Sequence, residues 1–147
     1  MSDQPVTDQE SGLFSEAMLT ALLPSRVATA RRTLRQLGLI LITIDGDVTP
    51  SAVAGLVTRA IRDSDVAARL DDGTIALVLE FTPSEGCAVV VDRMRRRVQE
   101  DAPDARFRAG IACYPAHAIS ADELTEVARA ALAEAPDGEV VVAAVPD

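Results

Sequence analysis

The chain has 147 residues, a formal net charge of −9, 48% hydrophobic residues and only 3% aromatic ones. That length suits one domain, and the composition requires a core of Leu, Ile, Val and Ala rather than of rings. All 14 basic residues are Arg; an acidic total excludes general binding to nucleic acid or anionic membranes, while clustered arginines still permit a local anion site.

Residues 1–11 are polar, acidic and aperiodic, and are expected to be a disordered tail. Residues 12–147 are expected to form the single domain. Phe14, Ala17, Met18, Ala21 and Leu22 fall at helical spacing over Leu13–Leu23, and Pro24 should end or kink that helix. Ser25 then caps a second helix to about Leu37, with Gly38 as its stop. Leu39–Ile44 is short, apolar and β-branched, which predicts a central strand buried on both faces.

Thr49-Pro50 opens the next helix, whose apolar face is Val53, Leu56, Val57, Ala60 and Ile61. Val66–Leu70 and Ile75–Leu79 flank Asp71-Asp72-Gly73-Thr74, and Asp-Gly in that setting predicts a hairpin with a type I′ turn. Thr82-Pro83-Ser84-Glu85 reads as a capping box for a helix to about Gln99. Cys87, Val90, Val91, Met94 and Val98 form its core stripe, and Arg93, Arg96 and Arg97 a separate, solvated face. A strand Arg106–Cys113, a loop Tyr114–His117 and a second capping box Ser120–Glu123 follow. The helix from that box runs to about Ala135, and a last strand spans Glu139–Val145. Alternation around one hairpin predicts an α+β domain: a mixed sheet of about five strands with helices packed on it.

Cys87 and Cys113 lie far apart in no metal-ligand spacing, so they are expected to be reduced core thiols of a cytoplasmic protein. The opening MSDQPVTDQES lacks signal-peptide character, and no apolar run approaches the ~20 residues that membrane insertion needs. His117 has no partner at ligand spacing and reads as a surface loop residue.

Four stretches, in order, resemble the diguanylate cyclase (GGDEF) domain family of bacterial signalling proteins. Leu19-Thr20 with Leu23-Pro24-Ser25-Arg26 is similar to the opening LTGLPNR. Ile42-Thr43-Ile44-Asp45 is similar to the D-I-D strand end. Ser64-Asp65-Val66-Ala67-Ala68-Arg69-Leu70 with Asp71-Asp72-Gly73-Thr74-Ile75 follows SDxxARxGGDEF without gaps. Gly110-Ile111-Ala112 and Ala121–Ala135 resemble the SxGIA strand and the saeeLlxxADxALyxAK helix. The resemblance implies the mixed sheet of the nucleotidyl-cyclase palm.

It also implies a chemistry that this chain is expected to have lost. The family holds two divalent cations on carboxylates against a nucleoside triphosphate. Thr43 stands at the first of those carboxylates and Gly73 at the acidic third position of the loop, with Thr74 at the fourth. Asp71 and Asp72 replace the two glycines, and would repel phosphate. The NDxxGHxxGD segment that reads guanine is absent. These departures imply a degenerate domain that is not an enzyme and holds no metal.

One family feature is kept in register. Arg62-x-x-Asp65 lies five residues before Asp71, as in the family's inhibitory product site, and Arg93 falls where a further arginine joins it. Arginine can fork onto guanine or phosphate, and Asp can accept from guanine N1 and N2. The plainer reading is a solvated helix end, with Asp65 capping or pairing with Arg62. Asp45, Asp47, Asp71 and Asp72 read as solvated turn carboxylates.

The resemblance therefore implies an inactive domain that binds cyclic di-GMP through Arg62, Asp65 and Arg93 and reports it to a protein partner. The alternatives are a nucleotide-independent module that dimerises, with Leu13–Leu23 as a contact, and a residual diguanylate cyclase.

Overall fold

The computed structural model describes residues 5–146. Its elements in chain order are β1 (Phe14–Ser15), α1 (Glu16–Thr33), β2 (Leu37–Asp45), α2 (Pro50–Ala60), β3 (Val66–Arg69), β4 (Ile75–Glu80), α3 (Ser84–Asp101), β5 (Arg106–Tyr114), α4 (Ala121–Glu134) and β6 (Val140–Val142). One mixed sheet of six strands runs in the order β1-β3-β4-β2-β5-β6. β2 is central and antiparallel to both β4 and β5. The two parallel pairs, β1 with β3 and β5 with β6, lie at the edges.

β2 separates two cores. Ile40 and Ile42 face α2 and α3, packing with Val57, Val91 and Met94. Leu39 and Leu41 face α1 and α4, packing with Leu23, Val27 and Leu124. A strand covered on both sides must be apolar along its whole length, and LILI is. Gly110 marks the tightest approach of β5 and α4. A Cβ there would lie 2.3 Å from the Leu132 nitrogen and 2.7 Å from the Ala128 oxygen.

Several expectations are corrected. The two helices expected around Pro24 are one, α1, with Pro24 inside it. Leu19, Leu23, Val27 and Ala30 bury one continuous stripe across the proline, and that packing outweighs the lost hydrogen bond. Ser15, not Ser25, is the N-cap; its Oγ accepts from Met18 N at 3.2 Å. The helix ends at Leu34 in the left-handed region, and Gly38 lies within β2. Within the expected contact stretch Leu13–Leu23, Leu13, Leu19 and Leu23 pack into their own domain, while Phe14 is 37% exposed.

The box at Thr82 does not form: Pro83 is the N-cap, without a side-chain bond. Of the tail expected to be disordered, residues 1–4 lie outside the described residues. The rest turns back on itself, with Thr7 bridging Phe14 and Asp8 accepting from Ser11. His117 is buried rather than at the surface, and its Nδ1 accepts from Cys113 N at 2.8 Å. Cys87 and Cys113 are free thiols, both buried. No helix among the described residues is long and apolar enough to cross a membrane.

Candidate functional site

The hairpin joins β3 to β4 by a different turn from the type I′ expected. Gly73 N donates to Leu70 O at 2.9 Å and Leu70 N to Thr74 O at 2.8 Å. Only Gly73 has a positive φ, +89°, so a tight turn is followed by one left-handed residue. Asp72 Oδ1 accepts from Thr74 N at 2.9 Å, and its other oxygen meets Arg129 at 3.2 Å. Partial burial raises the Asp72 pKa, but the bonds from Thr74 and the Arg129 cation outweigh that and hold the carboxyl below its usual range. Asp71 N donates to Glu16 at 3.2 Å. The acidic tip is therefore tied to α1 and α4.

Beneath the tip, at the end of β2, lies a cavity of about 80 Å³. Ile44, Val48, Pro50, Val53 and Ile75 line it together with Arg69 and Gly73. The chain passes from Asp45 to Pro50 in a short turn, closed by Val48 N to Gly46 O at 2.9 Å. Arg69 is drawn outward by Asp8 at 3.4 Å and Glu10 at 3.7 Å. In β2, Thr43 Oγ1 is buried without a hydrogen-bond partner. Among the described residues, no three His, Cys, Asp or Glu side chains converge to hold a metal ion.

The second candidate region lies at the far end of the hairpin. Asp65 Oδ2 accepts from Arg62 N at 2.9 Å, and Oδ1 accepts from Glu80 N at 3.0 Å. The Asp65 side chain is only 3% exposed. Arg62 Nε lies 3.5 Å from it, and Arg62 Nη2 donates to Glu80 O at 2.7 Å and Thr82 Oγ1 at 2.9 Å. The Arg62 side chain is nevertheless 63% exposed. Arg26 adds a bond to Ser64 O at 3.0 Å and an ion pair to Glu80.

The structure thus brings Arg62 and Asp65 together, and Arg93 makes no hydrogen bond or ion pair with either among the described residues. Arg93 lines a recess with Arg59 and Arg97, between α2 and α3. Arg96 is paired with Asp92 at 2.9 Å. Sequence reasoning missed Arg26, Glu80 and Thr82 as partners of this region, since nothing in their local pattern marks them.

A chain with this sheet order, a hairpin in mid-chain and an edge strand entered before α1 has the architecture of a nucleotidyl-cyclase palm. The model of the diguanylate cyclase GGDEF domain family matches residues 6–139, and the chain belongs to that family. The GGDEF domain of YfiN (TpbB) from Pseudomonas aeruginosa superposes with a TM-score of 0.84 at 21% identity, over 94% of each chain. The coiled coil and GGDEF domain of DgcB from Caulobacter crescentus, solved in complex with cyclic di-GMP, gives 0.79 at 18% identity, over 94% of this chain and 85% of that one. The diguanylate cyclase SiaD of Pseudomonas aeruginosa, in complex with its activator SiaC, gives 0.82 at 20% identity, over 94% of this chain and 62% of that one. No curated protein sequence matches the chain.

The structure moves one matched stretch. Leu23-Pro24-Ser25-Arg26 lies inside α1, and the family model's match begins upstream, at residue 6. The remaining stretches fall on the expected elements. Of the family's two-cation scheme, this chain supplies a hydroxyl at Thr43 and no side chain at Gly73. Those residues do not fit a pair of divalent cations.

Proposed function

We propose that this chain is a GGDEF domain that no longer makes cyclic di-GMP and instead binds it as a regulatory module. The small cavity under the hairpin carries the first half. Ligand pockets for drug-sized molecules span roughly 300–1,000 Å³, against about 80 Å³ here, where five aliphatic residues share the lining with Arg69 and Gly73. The missing carboxylates at Thr43 and Gly73 support it.

Arg62 carries the second half. Its guanidinium is exposed yet held by Glu80 O and Thr82, so a ligand meets a cation already fixed in place. Asp65 already accepts two backbone N–H groups, so its part is to orient Arg62 rather than to read the ligand. Arg93, with Arg59 and Arg97, supplies positive charge toward a phosphodiester. The complex of DgcB with cyclic di-GMP shows a related fold taking that nucleotide. The SiaD–SiaC complex shows one engaged by a protein partner.

Incubation with GTP and Mg²⁺ or Mn²⁺ tests the loss of catalysis. The reading expects no cyclic di-GMP among the products. Turnover that disappears in Asp45→Ala would restore the chain to the enzymes.

A further inference from the structure

The end of the sheet opposite the hairpin turn holds three large apolar side chains in solvent. Leu34 is 92% exposed, Ile119 60% and Phe81 48%. Leu34 and Phe81 are also the two non-glycine residues with left-handed backbone among the described residues, at φ 58° and 55°. That region is unfavourable for a bulky side chain, and residues kept there cluster where a surface has a task.

Two arginines join the three into one strip. The Arg35 guanidinium lies 5.2 Å from the centre of the Phe81 ring. Arg31 Nη2 donates to Ile119 O at 2.6 Å. Arg31, Arg32 and Arg35 follow one another at the end of α1, and none forms an ion pair among the described residues. Arg62 holds the residues on either side of Phe81, donating to the Glu80 carbonyl and the Thr82 hydroxyl.

We propose that Leu34, Phe81 and Ile119, collared by Arg31, Arg32 and Arg35, form a docking surface for an acidic amphipathic segment of a partner protein. Its apolar side chains seat on the strip and its carboxylates meet the arginines. Charge complementarity selects this occupant. The chain carries a net charge of −9, so three unpaired cations at one end run against its overall field and fit an acidic partner. A second copy docked strip to strip about a two-fold axis would crowd both sets of arginines into one interface. The inference does not depend on nucleotide binding.

The test is selection from a display library of random peptides on the immobilised full chain, followed by titration of the selected peptides. The expected result is enrichment of sequences that combine Asp or Glu with Leu, Phe or Ile. Their affinity should fall at least tenfold in Leu34→Gly/Phe81→Gly and in Arg32→Glu/Arg35→Glu. The glycine pair relieves the left-handed backbone, so its melting temperature should not fall, which separates a lost surface from a lost fold. Absent enrichment, selected peptides without acidic residues, or affinity unchanged in both variants would overturn the proposal. Binding to anionic lipid vesicles or self-association, if abolished by the same substitutions, would also overturn it, by giving the surface to another occupant.

Discussion

Asp65 Oδ1 accepts the backbone N–H of Glu80 at 3.0 Å, which ties the entry to β3 to the end of β4. The same carboxylate caps Arg62 N at 2.9 Å. A motif that resembles half of a ligand site is therefore also a structural clasp. Asp65→Ala leaves both donors without their acceptor and is expected to lower stability by about 1–3 kcal/mol. Urea denaturation checks this. An unchanged midpoint would show that water replaces the carboxylate without loss. Arg62→Ala, whose side chain is mostly in solvent, is the cleaner probe of ligand binding.

Gly110 is expected to tolerate no side chain. In Gly110→Ala the new methyl would press on the backbone of Ala128 and Leu132, and neither can swing aside as a flexible side chain could. The expected cost is about 3 kcal/mol or more, beyond ordinary overpacking. Thermal melts of the wild type and the variant decide it, and near-equal melting temperatures would contradict the close approach of β5 and α4.

His117 gives the fold a pH dependence. Burial lowers its pKa from the ordinary 6.5, so the folded state favours the neutral ring, whose Nδ1 accepts from Cys113 N. The unfolded chain then binds the extra proton, so this contribution is complete above 6.5 and declines as pH falls below it. Asp8 and Asp72, whose pKa values lie below the ordinary 3.8, lose theirs in a separate window, as pH falls below 3.8. Melting temperature followed against pH should drop in the upper window. His117→Asn keeps an acceptor for Cys113 N and should flatten that window alone. A drop that persists in the variant would assign it elsewhere.

Pro24 is expected to be replaceable with a gain. It sits in the exposed face of α1 and denies its turn one backbone bond. Pro24→Ala should therefore stabilise the domain by about 1–3 kcal/mol. A lower melting temperature would show that the ring packs in a way that exceeds the missing bond.

Pro24 also shows where the sequence could be read and where it could not. Five of the six strands and most helices were legible because each carries its own signal: LILITI for the central strand, Thr49-Pro50 and Ser120 for two helix starts, Asp-Gly for the hairpin; the two-residue β1 had none, and its Phe14 read as helical. Pro24 is a strong local breaker, and only tertiary burial of Leu19, Leu23, Val27 and Ala30 overrides it. That override hid the true helix start at Ser15.

The clasp of Arg62 and Asp65 was legible as a motif and as a cap. Its partners Glu80, Thr82 and Arg26 were not, because they are 15 to 54 residues away from their partners in the chain. The left-handed backbone of Leu34 and Phe81 had no sequence signal at all, since residue type argues against it.

The most direct test of the central claim is isothermal titration of the wild-type chain with cyclic di-GMP, repeated on Arg62→Ala. The expected result is saturable heat for the wild type and affinity at least tenfold weaker in the variant. No heat from the wild type, or equal affinity in the two, would contradict a retained nucleotide site at Arg62.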